Sequence, residues 1–105
     1  MTEGRKDDAG KLDTQLLFRD LTQALREACG VMHWAAYVKE NPYAIGSWVK
    51  VEPDRYRSAL MRHLLAYYED NNSKDEESGL SHLAHAAANV LILLQKAHLS
   101  GNHYE

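Results

Sequence analysis

Apolar side chains recur at intervals of three and four residues along three long segments of this chain. This spacing places them on one face of an α-helix. The pair Asn41–Pro42 and the polar run NNSKDEESG at 71–79 separate the segments, because proline and clusters of small polar residues end helices. The pattern predicts helices over about 14–39, 53–70 and 79–98. No segment alternates apolar and polar residues as a strand would, so we expect an all-α fold.

Each predicted helix carries one apolar stripe that we expect to face the core. Gly30 lies inside the first helix and is a candidate for a kink or a break, so the bundle has three or four helices. Pro53 suits the first position of the second helix, and Ser78 or Ser81 suits the N-cap of the third. The stripes are Leu17, Leu21, Ala24, Ala28, Met32 and Ala35; Leu60, Met61, Leu64, Leu65 and Tyr68; and Leu83, Ala87, Val90, Leu91 and Leu94.

The length of 105 residues allows a single domain. Residues 1–12 are polar and contain bunched charges, which predicts an arm, and residues 13–105 form the helical domain. A domain of this size buries only about 60–65% of its extended-chain surface. We therefore expect a homo-oligomer that completes the thin core.

Charge and hydropathy exclude several classes of partner. The net charge is −3, so the chain lacks the positive excess that duplex nucleic acid requires. No apolar run reaches about 18 residues, and the first residues have no apolar signal core, which argues against a membrane protein. The single cysteine, Cys29, allows no internal disulfide and is expected in the core. These features favour a protein of the cytoplasm.

The start of the last helix is the first candidate for chemistry. His82 and His85 are three residues apart and Asn89 follows four later, so all three share one stripe. Histidines at this spacing either bind a metal or accept a proton, or they only decorate the first turn, and the spacing alone leaves both interpretations open. Asp75 and Glu77 precede this helix. Their carboxylates suit Mg²⁺ or Mn²⁺, although a plain acidic surface loop has the same composition.

The middle helix and the loop before it supply further candidates. Arg62 and His63 lie between apolar turns, and arginine is the side chain best shaped to hold phosphate oxygens. Arg55 and Arg57 fit a solvated stripe better. Trp48, in the loop at 41–52, either stacks on a base or covers the core.

Three segments together resemble one phage-associated family. They are GRKDDAGK at 4–11, RYRSALMRHLLAYYED at 55–70 and DEESGLSHLAHAAANVLILL at 75–94. In this order and spacing they resemble the N-terminal domain family of dATP/dGTP diphosphohydrolases, which is linked to the helical MazG-like nucleotide pyrophosphohydrolases. The resemblance covers most of the chain, and the third segment is the most specific. If a phage encodes the chain, the expected cytoplasm is that of the host.

The resemblance implies a MazG-like helical oligomer that takes a purine nucleotide and a divalent cation, Mg²⁺ or Mn²⁺. We assign roles on that basis as hypotheses. The catalytic candidates are His63, His82 and His85. The nucleotide- and phosphate-binding candidates are Arg5, Lys6, Lys11, Trp48, Arg62 and Asn89, with Asp7 and Asp8 also in the arm. The metal candidates are Asp75, Glu77, His82 and His85.

Two functions remain open. MazG-like enzymes hold Mg²⁺ with E-x-x-E and E-x-x-D pairs on neighbouring helices, and no E-x-x-E pair occurs on a predicted helix of this chain. The first function is hydrolysis of a purine deoxynucleoside triphosphate to the monophosphate and pyrophosphate. The second is a non-catalytic sponge that sequesters a host immune nucleotide signal and needs no metal.

Overall fold

A computed structural model describes residues 10–99, and within that range it contains four α-helices and no strand. The helices are α1 (Gln15–Phe18), α2 (Thr22–His33), α3 (Pro53–Glu69) and α4 (His82–Leu99). A π-helical turn over Trp34–Val38 extends α2, and a 3₁₀ helix over Ser47–Lys50 precedes α3. The all-α fold with a small number of helices is therefore confirmed.

The first predicted helix is divided, but not at Gly30. The chain leaves the helical conformation before Thr22, since Leu21 has φ −121° and ψ 32°. The Thr22 hydroxyl donates to the carbonyl oxygens of Phe18 and Arg19, and such side-chain bonds compete with the regular helical ladder. Gly30 lies in the interior of α2, so the prediction of a break there was wrong.

The start of α4 was predicted three residues too early. The Ser81 side chain accepts the backbone N–H of Ala84 at 2.9 Å and caps the helix. The residues before it form a turn in which the N–H of Gly79 donates to the carbonyl of Asp75 at 2.8 Å. Gly79 has φ +75°, a conformation that favours glycine. The start of α3 at Pro53 was predicted correctly.

The core is built from small side chains on α4, which packs against both α3 and α2. Val31, Ala84 and Ala88 form its centre, and Leu80 packs against them. The predicted inward stripes of α3 and α4 were largely wrong, because alanines let α4 approach its neighbours on a different face. Large side chains of those stripes remain exposed, among them Met61, Leu65, Tyr68, Leu83, Val90, Leu91 and Leu94. Cys29 is also exposed, contrary to expectation.

The 3₁₀ helix is joined to the second half of α4. The Lys96 ammonium donates to the carbonyl oxygens of Trp48 at 3.3 Å and Val49 at 2.7 Å. Trp48 itself lines a shallow apolar groove with Met32, Leu91 and Ile92. No helix between residues 10 and 99 has the length and hydrophobicity to cross a membrane.

Candidate functional site

Three histidines from two helices meet where the first turn of α4 packs against α3. His63 comes from α3, and His82 and His85 come from the first turn of α4. The Nδ1 atoms of His63 and His82 lie 2.8 Å apart. One ring must donate its N–H to the unprotonated nitrogen of the other, so at least one of the two is neutral. The rings of His63 and His85 stack with centroids 4.5 Å apart and an interplanar angle of 14°.

The turn before α4 places a carboxylate beside this cluster. Asp75 Oδ2 accepts the backbone N–H groups of Glu77 at 3.1 Å and Ser78 at 2.9 Å. The backbone N–H of Asp75 donates to the carbonyl of Leu80 at 2.8 Å, which closes the turn. As a result His63, Asp75 and His82 each offer one ligand atom, and these atoms lie within 4.8 Å of one another.

His85 is the most enclosed member of the cluster, with 7% of its surface exposed. Its Nε2 atom lies 2.7 Å from the Ser78 hydroxyl oxygen. That oxygen also accepts the backbone N–H of Leu80 at 3.0 Å. The ring of Trp34 meets His85 edge-on, with centroids 5.9 Å apart. These contacts hold the His85 ring in one orientation.

The environment favours neutral imidazoles and an ionised carboxylate. Burial, together with the neighbouring rings of His85 and His82, lowers the pKa of His63 to about 4. Burial also lowers the pKa of His85, although Asp75 opposes this. Burial acts to raise the pKa of Asp75, but the hydrogen bond from Ser78 and the nearby histidines outweigh it and lower that pKa. Neutral rings at neutral pH can accept protons or bind a metal.

A polar cleft of about 380 Å³ lies next to the histidines. The Lys39 ammonium is within 4.6 Å of the Tyr43 ring centroid, 5.3 Å of the Trp34 ring centroid and 3.9 Å of the Glu77 carboxylate. Because Trp34 and Ser78 line the cleft and also contact His85, the cleft and the histidine cluster share a wall. The residues that line it are Trp34, Val38, Lys39, Glu40, Glu77 and Ser78.

The structure brings the three catalytic candidates together, and it divides the metal candidates. Asp75 and His82 belong to the group of converging ligand atoms, which His63 completes. The Glu77 carboxylate lies near Lys39 instead, and the Nε2 atom of His85 contacts Ser78. Metal binding by Glu77 and His85 stays a prediction.

The nucleotide-binding candidates are more dispersed. Arg62 directly precedes His63 on α3 but is exposed, and its guanidinium donates to the Ser58 hydroxyl at 3.2 Å. Trp48 lies by Ile92, about 10 Å along α4 from His85 at 1.5 Å per residue. Asn89 is half-buried one turn after His85, and Lys11 is exposed. Arg5, Lys6, Asp7 and Asp8 lie outside the described residues, and all these roles stay predictions.

Sequence reasoning missed Trp34, Lys39 and the role of Ser78. Trp34 and Lys39 lie in and just after the π-helical turn, whose altered phase no simple helical stripe anticipates. Ser78 was considered only as a helix cap. The run HWAAYVK at 33–39, with two large aromatics and a cation beside small residues, was the available signal.

The chemical type of the converging ligand atoms determines which cation suits the cluster. The set is two imidazole nitrogens and one carboxylate oxygen. Mg²⁺ prefers oxygen ligands and keeps several waters, so this set does not fit it well. Imidazole combined with carboxylate suits Mn²⁺ and later transition metals.

Comparison with known proteins agrees with the resemblance seen in the sequence. The family model described as dATP/dGTP diphosphohydrolase, N-terminal, matches residues 1–103. A dATP/dGTP diphosphohydrolase of Salmonella phage PMBT28 is 29% identical over 90 residues, which cover 86% of this chain and 28% of that protein. The chain thus spans under a third of the length of this relative. No solved structure matches the chain significantly. The family match over nearly the whole length shows that this chain belongs to the dATP/dGTP diphosphohydrolase N-terminal family.

Proposed function

We propose that this chain binds a purine deoxynucleoside triphosphate beside the histidine cluster and promotes its hydrolysis to the monophosphate and pyrophosphate. The observation that carries the proposal is the convergence of His63, His82 and His85 with Asp75. This cluster lies beside a cleft whose lining includes Trp34 and Ser78, the two residues that contact His85. The ligand class follows from family membership and from the name of the phage relative.

The cleft has features that suit a nucleotide. Trp34 offers an aromatic surface for a base, and Lys39 supplies a positive charge for phosphate oxygens. Among residues 10–99, the Lys39 ammonium contacts two aromatic rings and, at 3.9 Å, the Glu77 carboxylate. A phosphate that enters the cleft therefore competes with one weak carboxylate contact.

The histidines suit the proton transfer that hydrolysis requires. Water adds across the bond between the α and β phosphates, and a nearby base accepts its proton. The lowered pKa values of His63 and His85 keep both rings neutral and able to do so. The Ser78 hydroxyl and the Trp34 edge orient His85. A divalent cation bound at the cluster would neutralise charge on the phosphates.

The sponge is the second candidate, and one observation favours it. Among residues 10–99, Asp75 is the only carboxylate in the group of converging ligand atoms. Multi-carboxylate cation sites are absent from that described range. A cleft that holds a nucleotide without hydrolysing it needs no metal ion. A charged side chain such as Lys39, an aromatic side chain such as Trp34 and hydrogen bonds are sufficient.

Substitution of the histidines separates the two functions. We expect His82→Ala and His85→Ala to lower turnover by ~10²-fold or more while the nucleotide still binds, because His85→Ala removes a candidate base and His82→Ala removes a candidate base or metal ligand. His33→Ala is the matched control, since His33 is exposed and contacts Tyr37 rather than the cluster. Chromatography of the nucleotide products measures turnover, and calorimetry measures binding.

If the protein is a sponge, the histidine substitutions affect nucleotide binding and not turnover. In that case no product forms, the same two substitutions weaken binding, and a chelator leaves wild-type affinity unchanged. Lys39→Ala weakens binding under either function, compared with Lys50→Ala on the 3₁₀ helix. Turnover and affinity that survive both histidine substitutions would contradict a functional role for this cluster.

A further inference from the structure

We propose that His63, Asp75 and His82 form a binding site for one divalent transition-metal ion, of the Mn²⁺, Co²⁺ or Zn²⁺ class, and that Mg²⁺ is not its natural occupant. The inference deepens the proposed function, because it names the cation class of the same site. It also assigns His63, rather than Glu77 or His85, as the third ligand.

The two histidine nitrogens already have the spacing of adjacent metal ligands. Their Nδ1 atoms are 2.8 Å apart. Two imidazole nitrogens at about 2.0–2.1 Å from a metal and at right angles to each other are roughly 2.9 Å apart. The rings therefore need little movement to admit an ion, which would replace the proton that they share.

The backbone holds Asp75 and His82 in place before any ion binds. The Oδ2 atom of Asp75 accepts two backbone N–H groups, and the His82 N–H donates to the carbonyl of Ser73 at 3.4 Å. Such outer contacts to ligand residues orient metal sites in general. All three side chains belong to half-buried residues, so water has restricted but real access.

The remaining neighbours support the ligand assignment. His85 stacks on His63 at 4.5 Å and its Nε2 contacts Ser78, so it orients His63 and is not a ligand of the ion. Glu77 is exposed and lies near Lys39. Three protein ligands leave coordination positions open, and open positions accept water or a phosphate oxygen.

The preference among ions follows from the donor atoms. Imidazole nitrogens favour transition metals over Mg²⁺, and the affinity of a nitrogen–oxygen site rises from Mn²⁺ towards the later metals. Mg²⁺ demands near-octahedral oxygen ligation and loses its water reluctantly. All these cations carry the same charge, so a site with two nitrogens among three protein ligands discriminates against Mg²⁺ by the type of its donor atoms.

Cobalt binding tests the site without reference to activity. The full chain is treated with a chelator, freed of it, and titrated with CoCl₂ while visible absorption is recorded. We expect a single binding event with d–d bands characteristic of nitrogen and oxygen ligands. We expect ZnCl₂ to displace the cobalt, and MgCl₂ to leave it bound even at about hundredfold excess. Loss of the cobalt bands with equimolar Mg²⁺ would overturn the proposal.

Variants identify the ligands. His63→Ala and His82→Ala should each weaken Co²⁺ binding at least ~100-fold, beyond the roughly 10–100-fold that loss of an outer-shell partner costs. Glu77→Gln and His33→Ala should bind as the wild type does. Far-UV circular dichroism of each metal-free variant verifies the helices, and the wild-type cobalt spectrum tests the site even if one variant fails to fold. Equal affinity of His63→Ala and His33→Ala would remove His63 from the site.

The outcome is separable from that of the proposed function. Nucleotide retention is measured in parallel on separate samples of the same preparations, once with Mn²⁺ and once with chelator. Cobalt binding without nucleotide retention in either condition supports the metal site and contradicts the proposed function. Nucleotide retention without cobalt bands contradicts the metal site alone.

Discussion

At the scale of single residues, the histidine cluster is a polar feature inside a core made mostly of alanine. His85 is the buried polar residue among the described positions, and its neighbours are Trp34, Ser78 and the stacked ring of His63. The stacked arrangement requires at least one neutral ring, because two imidazolium ions in contact repel each other. The folded state therefore resists protonation at this point.

This resistance predicts how stability depends on pH in the metal-free protein. His63 has an ordinary pKa of 6.5 when unfolded and a pKa of about 4 when folded. Between these values the unfolded chain binds more protons than the folded one, so the free energy of unfolding rises with pH and levels off above 6.5. Urea denaturation in the presence of a chelator measures this slope. The slope of the free energy of unfolding against pH should decrease in His63→Asn but not in His33→Asn. Equal slopes in the two variants would contradict the lowered pKa of His63.

At the scale of helices, α4 depends on the turn that precedes it. The Ser81 hydroxyl caps the helix through the N–H of Ala84, and the same turn delivers Asp75 and Ser78 to the histidines. We expect Ser81→Ala to lower the free energy of unfolding by about 1 kcal/mol. Ser58→Ala, in the exposed interior of α3, is the control and should change it little. Chemical denaturation compares them, and an unchanged midpoint for Ser81→Ala would show that the cap is dispensable.

The helices also show which parts of the fold could be predicted. Pro53 marks the start of α3 by a local signal, and the spacing of His82 and His85 predicts a candidate site at the start of α4. The break before Thr22 arises from side-chain bonds to the backbone, which hydrophobic periodicity does not record. Trp34 and Lys39 reach the cleft because a π-helical turn changes the phase of the helix. The pairing of His63 with His82 depends on how α3 and α4 pack, which no local pattern contains.

At the scale of the whole molecule, the single chain leaves much apolar surface uncovered. Its radius of gyration is 16.6 Å, above the about 13 Å of a compact domain of 100 residues. Within residues 10–99, one exposed stripe on α3 contains Met61, Leu64, Leu65 and Tyr68. A patch of this kind on a monomer marks an interaction surface. The large exposed residues of α4 add a second stripe that a partner could cover.

We therefore predict a homo-oligomer in solution. Sedimentation at micromolar concentration should give a mass that is a multiple of the 11.9 kDa chain. Leu65→Glu, which puts a charge in the α3 stripe, should shift the mass towards the monomer. Ile45→Glu is the control, because Ile45 is exposed in a loop outside the helical stripes. A wild-type mass of about 12 kDa, the mass of one chain, would contradict the prediction.

The most direct test of the central claim is incubation of the wild-type chain with separate purine and pyrimidine deoxynucleoside triphosphates in the presence of Mn²⁺, followed by chromatography. The account predicts that dATP or dGTP is converted to the monophosphate and pyrophosphate while the pyrimidine nucleotides remain intact. Purine nucleotide that is retained unchanged and released on denaturation would identify the sponge instead. If no purine nucleotide is converted or retained, the claim that the histidine cluster serves a purine nucleotide is contradicted.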